Sequence, residues 1–176
     1  MSTTKWVIDP SHSEIGFKVK HMMFTNVSGS FQKFDAFIET NGDDFENATI
    51  EFTGDVDSVS TGNADRDGHL RSADFFDAEK FPHLTFKATS FAKEDEGEYT
   101  LKGDLTLHGV TKPVKLNVDF GGLAKDPWGN TKVGMSIDGK INRKDWGLNW
   151  NSALEAGGVL VGEEVKLHIE LQFIKQ

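Results

Sequence analysis

Most of the chain alternates apolar and polar side chains with period two, the pattern of strands that keep one face dry and one face wet. Ile15, Phe17 and Val19 alternate with Glu14, Gly16, Lys18 and Lys20, and Ile50, Phe52 and Val56 share a face opposite Glu51, Asp55 and Asp57. The same alternation runs through Leu84 and Phe86 and through residues 99–107, 114–120, 133–141 and 165–173. Between Phe31 and Phe37 the phase slips, because Phe34, Ala36 and Ile38 fall on the other parity; this predicts a bulge or bend. The connectors carry turn chemistry: Asn41-Gly-Asp-Asp44, Glu94-Asp-Glu-Gly97, His108-Gly-Val-Thr-Lys-Pro113, Asp126-Pro-Trp-Gly-Asn130 and Gly157-Gly158. Such short connectors favour antiparallel hairpins over parallel crossovers. Residues 63–82 break the rhythm, clustering Leu70, Phe75, Phe76 and Phe81 between an acidic start and Pro82. One or two short helices are predicted there.

The result is one mostly-β domain over residues 1–176, with about eight long strands and a short helical insert. Strands with one apolar face close into a barrel or stack as a sandwich, and periodicity does not choose between them. At eight strands, a barrel interior either fills with side chains or admits one small ligand.

Composition narrows the chemistry. The formal charge is −9, with 28 acidic residues against 19 Lys and Arg, so nucleic acid and anionic membrane surfaces are disfavoured as main partners. With no Cys, a disulfide framework, a thiolate nucleophile and a cysteine-based zinc site are excluded. The 14 Phe and 4 Trp against a single Tyr call for dry surroundings, either a core or a pocket for an apolar ligand. Met1 to Pro10 holds no apolar run of signal-peptide length, and no stretch approaches the ~20 apolar residues of a spanning helix. As written the protein is expected in the cytoplasm, without stable membrane insertion; removal of a leader from the native chain would place it in the periplasm.

Candidate catalytic groups do not cohere. The six histidines include no His-x-His pair and no His-Glu-x-x-His helix, so no metal and no resident cofactor is expected. There is no Gly-x-Ser-x-Gly elbow. In Ser11-His12-Ser13 the hydroxyls and imidazole point to opposite faces of a strand unless a turn intervenes. Gly121-Gly122 and Gly157-Gly158 lack the pattern of a phosphate loop. Two segments remain of interest. In the insert, Arg66, His69 and Arg71 lie beside Leu70, Phe75, Phe76 and Phe81, which suits an amphiphile with a polar or anionic head; otherwise the insert is a plug whose arginines pair with Asp65, Asp67 or Asp74. In Ile141-Asn-Arg-Lys-Asp-Trp-Gly-Leu148, Arg143 is in phase with Ile141, Ile137 and Met135, and an inward arginine needs a buried acid or a ligand head group. Trp146 and Trp150, with Asn149 and Asn151, form an alternative, an aromatic platform for sugars.

The chain resembles the YceI-like family of bacterial polyisoprenoid-binding, lipocalin-like proteins. The resemblance rests on Trp6-Val-Ile-Asp-Pro-Ser-His-Ser13, Phe17-Lys-Val-Lys-His21, Val27-Ser-Gly-Ser-Phe31, Arg66-Asp-Gly-His-Leu-Arg-Ser72, Asp74-Phe-Phe-Asp77, Lys80-Phe-Pro82, Gly103-Asp-Leu-Thr-Leu-His-Gly-Val-Thr111 and Ile141-Asn-Arg-Lys-Asp-Trp-Gly147. Their order and spacing cover nearly the whole chain. The resemblance implies an eight-stranded antiparallel lipocalin-like barrel with a packed helical segment. It also implies a hydrophobic tunnel for a polyisoprenoid, an isoprenoid quinone or a fatty amide, and a carrier or sequestering role, often in stress response, without assigned catalytic residues. Many relatives carry a signal peptide, which this chain does not show, and Trp146 stands where relatives often have Phe. The expected wall is Phe17, Val19, Phe31, Phe86, Leu105, Leu107, Leu116, Val118, Met135, Ile137, Leu167 and Ile169, with Phe75, Phe76 and Phe81 near one end. His21, Arg66, Arg71 and Arg143 are the candidate head-group contacts. The rival readings are a lipid-processing enzyme on the same barrel and a carbohydrate-binding module using Trp146 and Trp150. A hydrophobic entrance also admits a homodimer.

Overall fold

A computed structural model describes residues 3–152 and 160–176. The strands are β1 (Thr3–Ile8), β2 (Glu14–His21), β3 (Thr25–Phe31), β4 (Phe34–Asn41), β5 (Asp44–Asp55), β6 (Val59–Ser60), β7 (His83–Asp95), β8 (Glu98–Leu107), β9 (Val110–Lys125), β10 (Thr131–Asn142) and β11 (Val161–Lys175). One α-helix, α1 (Ala64–Arg71), lies between β6 and β7. All pairings are antiparallel, and the order β1-β4-β5-β7-β8-β9-β10-β11 closes on itself through the pairing of β1 with β11. The molecule is therefore a closed eight-stranded barrel. Closure through β1 removes the unpaired edges that an open sheet would leave in that half.

Three of the eight staves are broken in the middle. β2 continues β1 along β11, β3 lies on β2 and leads into β4, and β6 continues β5 along β3. The first break is the 3-10 turn Pro10–His12, where Asp9 accepts from the Ser11 amide at 3.1 Å. The second, at Gln32 and Lys33, is the predicted phase slip. It lies against the third, the 3-10 turn Val56–Ser58: the Gln32 amide donates to Ser58 O at 3.1 Å and the Asp55 amide to Lys33 O at 2.9 Å. Gly121-Gly122, facing Gly134, is the site of a bulge in the β9–β10 ladder.

The breaks divide the barrel into two halves. In the lower half, around the β4–β5, β7–β8 and β9–β10 hairpins, Phe alternation fills the interior. Trp6 and Phe45 lie 5.0 Å apart, Phe45 and Phe120 5.0 Å, Tyr99 and Phe120 5.2 Å, and Phe91 stacks on Tyr99 at 4.5 Å. Tilted and offset contacts of this kind suit the ring quadrupoles. The buried indole N–H of this floor is answered: Trp6 Nε1 donates to Thr40 Oγ1 at 2.9 Å, and that hydroxyl donates to Gly42 O at 2.6 Å.

The upper end carries the insert. Asn63 caps α1 by accepting from the Arg66 amide at 3.0 Å, and Asp65 and Asp67 in the first turn suit the helix dipole. Beyond Arg71 the chain forms successive turns instead of a second helix; the Phe76 amide donates to Leu70 O at 3.0 Å and the Ala78 amide to Arg71 O at 2.9 Å. These turns aim Phe75 and Phe76 at the barrel mouth. Among the described residues, no helix is long and apolar enough to cross a membrane.

Candidate ligand-binding cavity

The upper half of the barrel is hollow. A cavity of about 540 Å³ is lined by Phe17, Val19, Phe31, Phe86, Leu105, Leu107, Leu116, Ile137, Leu167 and Ile169 from the expected wall, with Phe75 and Phe76 at its upper end. Its volume lies within the roughly 300–1,000 Å³ common to small-molecule sites. Ile15, Val27, Ile50, Phe52, Leu84, Leu101, Val114, Ile141, Val165 and Leu171 extend the wall; all lie on strands in the inward phase, so the same alternation identifies them. Leu148, Trp150, Leu160 and Val161 also line it, and no periodicity announces Leu148 and Trp150, which follow a 3-10 turn, Arg143–Trp146.

Four expected contacts fall elsewhere. Val118 and Met135 share parity with the wall but sit too low along the axis and are buried in the packed core, 3% and 5% exposed. Phe81 packs edge-on against His108 at 5.2 Å, and Arg71 is half-buried beside the turns but does not reach the lining. The cavity is also blind: the rings of the lower half lie beneath it, so it is a pocket and not a through-tunnel.

Glycines in the inward phase explain why strands of one composition leave a void here. Gly29, opposite Phe17, lets that ring lie along the wall; a Cβ at Gly29 would stand 2.5 Å from Phe17 Cζ. A Cβ at Gly103 would overlap the Phe86 ring, and one at Gly139 would overlap Leu116 Cδ2. Each apolar side chain folds over the missing neighbour instead of pointing at the barrel axis, which stays open.

Polarity is graded along this axis. The exposed lining residues, Lys20, His21 and Asp65, are all at the upper end, so the cavity meets solvent there. Arg66 is clamped to Thr61 through Nε to Oγ1 at 2.7 Å and Nη2 to the carbonyl at 2.9 Å. Asp67 accepts from the Thr61 amide at 2.8 Å, not from either arginine of the helix. His69 Nε2 donates to Asp74 Oδ2 at 2.9 Å, and the ring meets Trp150 edge-on at 4.6 Å. Trp150 in turn lies 5.3 Å from Phe75, and these rings roof part of the mouth.

Arg143 does point inward and is only 4% exposed. Its partners are backbone carbonyls and not a buried acid. Nε donates to Gly162 O at 2.8 Å, Nη1 to Leu148 O and Trp150 O, and Nη2 to Val161 O at 3.3 Å. Burial lowers its pKa from the usual arginine value, and the charge of Glu163 opposes that shift. Glu163 itself is ion-paired with Lys144 at 2.7 Å. Arg143 thus organises the loop at the mouth while keeping its charge beside an apolar cavity. Trp146 is 2% exposed and donates Nε1–H to Leu105 O at 2.9 Å, so it presents no face for stacking on a sugar.

A turn does bring Ser11, His12 and Asp9 together, on the outer surface. His12 Nδ1 lies 3.1 Å from Ser11 Oγ and 2.9 Å from Asp9 Oδ2. One ring nitrogen facing both groups cannot take a proton from the hydroxyl while being oriented by the acid, as a catalytic triad requires. Among the described residues no group of three or more His, Cys, Asp or Glu is placed to hold a metal.

A family model described as the YceI-like domain matches residues 6–173. A UPF0312 protein of Staphylococcus aureus strain N315 is 37% identical over 171 residues, covering 97% of each chain. A Campylobacter jejuni YCEI protein of known structure is 34% identical, with a TM-score of 0.76 over 96% of each chain. At 16% identity, a Saccharophagus degradans domain described as polyisoprenoid binding, and implicated in plant cell wall breakdown, shares the fold with a TM-score of 0.73, covering 97% of this chain and 98% of that one.

Proposed function

Because the chain belongs to the YceI-like domain family, we propose that it is a non-catalytic binding protein that carries or sequesters a long apolar ligand in the upper half of its barrel. The observation that carries this reading is the blind cavity of about 540 Å³ with an apolar floor and polar groups confined to its rim. Such a gradient favours an amphiphile that enters tail first and leaves its head at the mouth. Each Å² of apolar surface taken from water contributes about 25 cal/mol, so a chain that fills the cavity binds without many polar contacts.

The ligand class is a polyisoprenoid, an isoprenoid quinone or a fatty amide. The polyisoprenoid named for the Saccharophagus domain is of this kind, and a carbonyl or anionic head suits the rim. There Lys20, His21, Arg66 and Arg143 present donors and positive charge beside one acid, Asp65. Arg143 Nη2 has a second N–H to offer beyond its long bond to Val161 O. The paired nucleophile and base that a lipid-processing enzyme needs are not formed around the cavity by any of the hydrogen bonds described above.

Titration of delipidated protein with decylubiquinone tests this reading, since Trp150 lines the cavity and its fluorescence is quenched by a bound quinone. Saturable quenching that is strongly reduced in Trp150→Phe is expected. Quenching that never saturates, or that persists unchanged in Trp150→Phe, overturns binding in this cavity.

A further inference from the structure

The β2–β3 hairpin ends in Met22-Met23-Phe24, whose side chains are 40%, 63% and 80% exposed. Met22 and Met23 both have positive φ, 52° and 63°, at the two central positions of the turn closed by the Phe24 amide on His21 O, where Asn-Gly is the comfortable choice. Large apolar residues thus occupy strained, solvent-facing positions that neither turn chemistry nor packing asks for.

The charge around this tip is unlike the rest of the molecule. Residues 15–34 contain no acid and carry Lys18, Lys20 and Lys33, a formal +3 in a chain of net −9. Lys18, Lys20 and His21 are exposed on the hairpin, and Lys18 lies opposite Lys166 of β11. Among the described residues, acids on the neighbouring elements are Glu163 and Glu164 on β11 and Asp65 on α1, and Glu163 is ion-paired with Lys144. On its other side, β6 pairs only with Ser30 and Phe31, so among the described residues no strand pairs with Thr25 to Gly29 there. The same hairpin supplies Val19, Lys20, His21 and Val27 to the cavity rim.

We infer that the β2–β3 tip is a membrane-docking element that seats the cavity mouth on an anionic lipid bilayer. Met22, Met23 and Phe24 enter the interfacial layer, and Lys18, Lys20 and His21 meet the lipid head groups. The overall acidity of the chain limits this contact to the hairpin and makes it reversible, as a carrier that must leave the surface with its cargo requires. The inference rests on the proposed apolar cargo, because the bilayer is the phase from which such a ligand is drawn.

The test is co-sedimentation of the full chain with phosphatidylethanolamine–phosphatidylglycerol vesicles, with phosphatidylcholine vesicles as the uncharged comparison. The double variant Met23→Asn, Phe24→Ser removes the apolar tip, and Asn tolerates the left-handed turn. Wild type is expected to sediment with the anionic vesicles, more weakly at high salt, and the double variant about tenfold less. Equal sedimentation of wild type and variant, or none by wild type, overturns the inference. A wild-type dimer in size-exclusion chromatography that becomes a monomer in the variant also overturns it, since a second copy then covers the tip. Mass spectrometry of the lipid extract separates this from the cavity reading: cargo absent from both proteins removes the carrier function, whereas cargo present with no vesicle binding removes only the docking element.

Discussion

The two halves of this barrel are built from the same staves and the same inward alternation, yet one is solid and the other hollow. Below the breaks, Trp6, Phe45, Phe91, Tyr99, Phe120 and Phe173 point at one another across the axis. Above them, Phe17 and Phe86 lie along the wall over Gly29 and Gly103, and the covering insert ends in turns that hold Phe75 and Phe76 at the mouth. Apolar content alone does not decide whether a barrel packs. The placement of a few inward glycines, and of the segment that covers an end, decides whether the rings meet or stand aside. The lower half supplies stability through dispersion and burial, which leaves the upper half free to keep an interior that its own side chains do not fill.

The largest expected break in this comparison comes from the floor. Trp6→Ala removes a side chain that is 0% exposed and donates to Thr40, and about 3–5 kcal/mol of stability should be lost in urea denaturation. A loss under about 1 kcal/mol, the range of surface changes, would show that the lower half is not the stabilising one. At the mouth the effect should fall on function. Phe76→Asp places a charge on the half-buried lip of the cavity, and lipid retention should drop about tenfold or more while circular dichroism stays that of a folded barrel. Unchanged retention would argue against the insert forming the entrance.

Smaller changes sharpen the glycine account. Gly29→Ala and Gly139→Ala should push Phe17 and Leu116 into the cavity at a cost of about 1 kcal/mol each, and reduce the longest ligand retained. Retention of the same chain lengths by both variants would separate the glycines from the void. Smallest is the pH dependence of the first break. Hydrogen bonds from Ser11 and His12, with Lys132 at 3.2 Å, hold the Asp9 carboxyl well below the usual carboxylate range. Its folded-state pKa is depressed, so its contribution is complete above the ordinary value of 3.8 and fades as pH falls below it. Asp9→Asn should therefore cost about 1 kcal/mol near neutrality and progressively less in acid, as read from thermal unfolding. A cost that does not change with pH would remove the carboxylate from the account.

The strands were legible because each needs only local alternation, and the slip between Phe31 and Phe34 exposed one break through its parity alone. Most of the cavity wall followed from the same phase. Height along the axis did not: Met135 and Ile137 share a strand face, but only the register with β9 and β11 places one in the floor and the other in the wall. Arg143 was legible as inward-facing, whereas its carbonyl partners arise from the path of the loop between β10 and β11, which carries no period. The exposed tip at Met22 to Phe24 was hidden for the opposite reason, since an apolar run between two strands reads as more strand until the turn is seen.

The most direct measurement of the central claim is mass spectrometry of the organic extract from protein purified without detergent and then denatured. A stoichiometric isoprenoid or long-chain amide is the predicted result. An empty extract from folded protein, repeated after incubation with cell lipids, would contradict the account and leave the upper half of the barrel a void without a ligand.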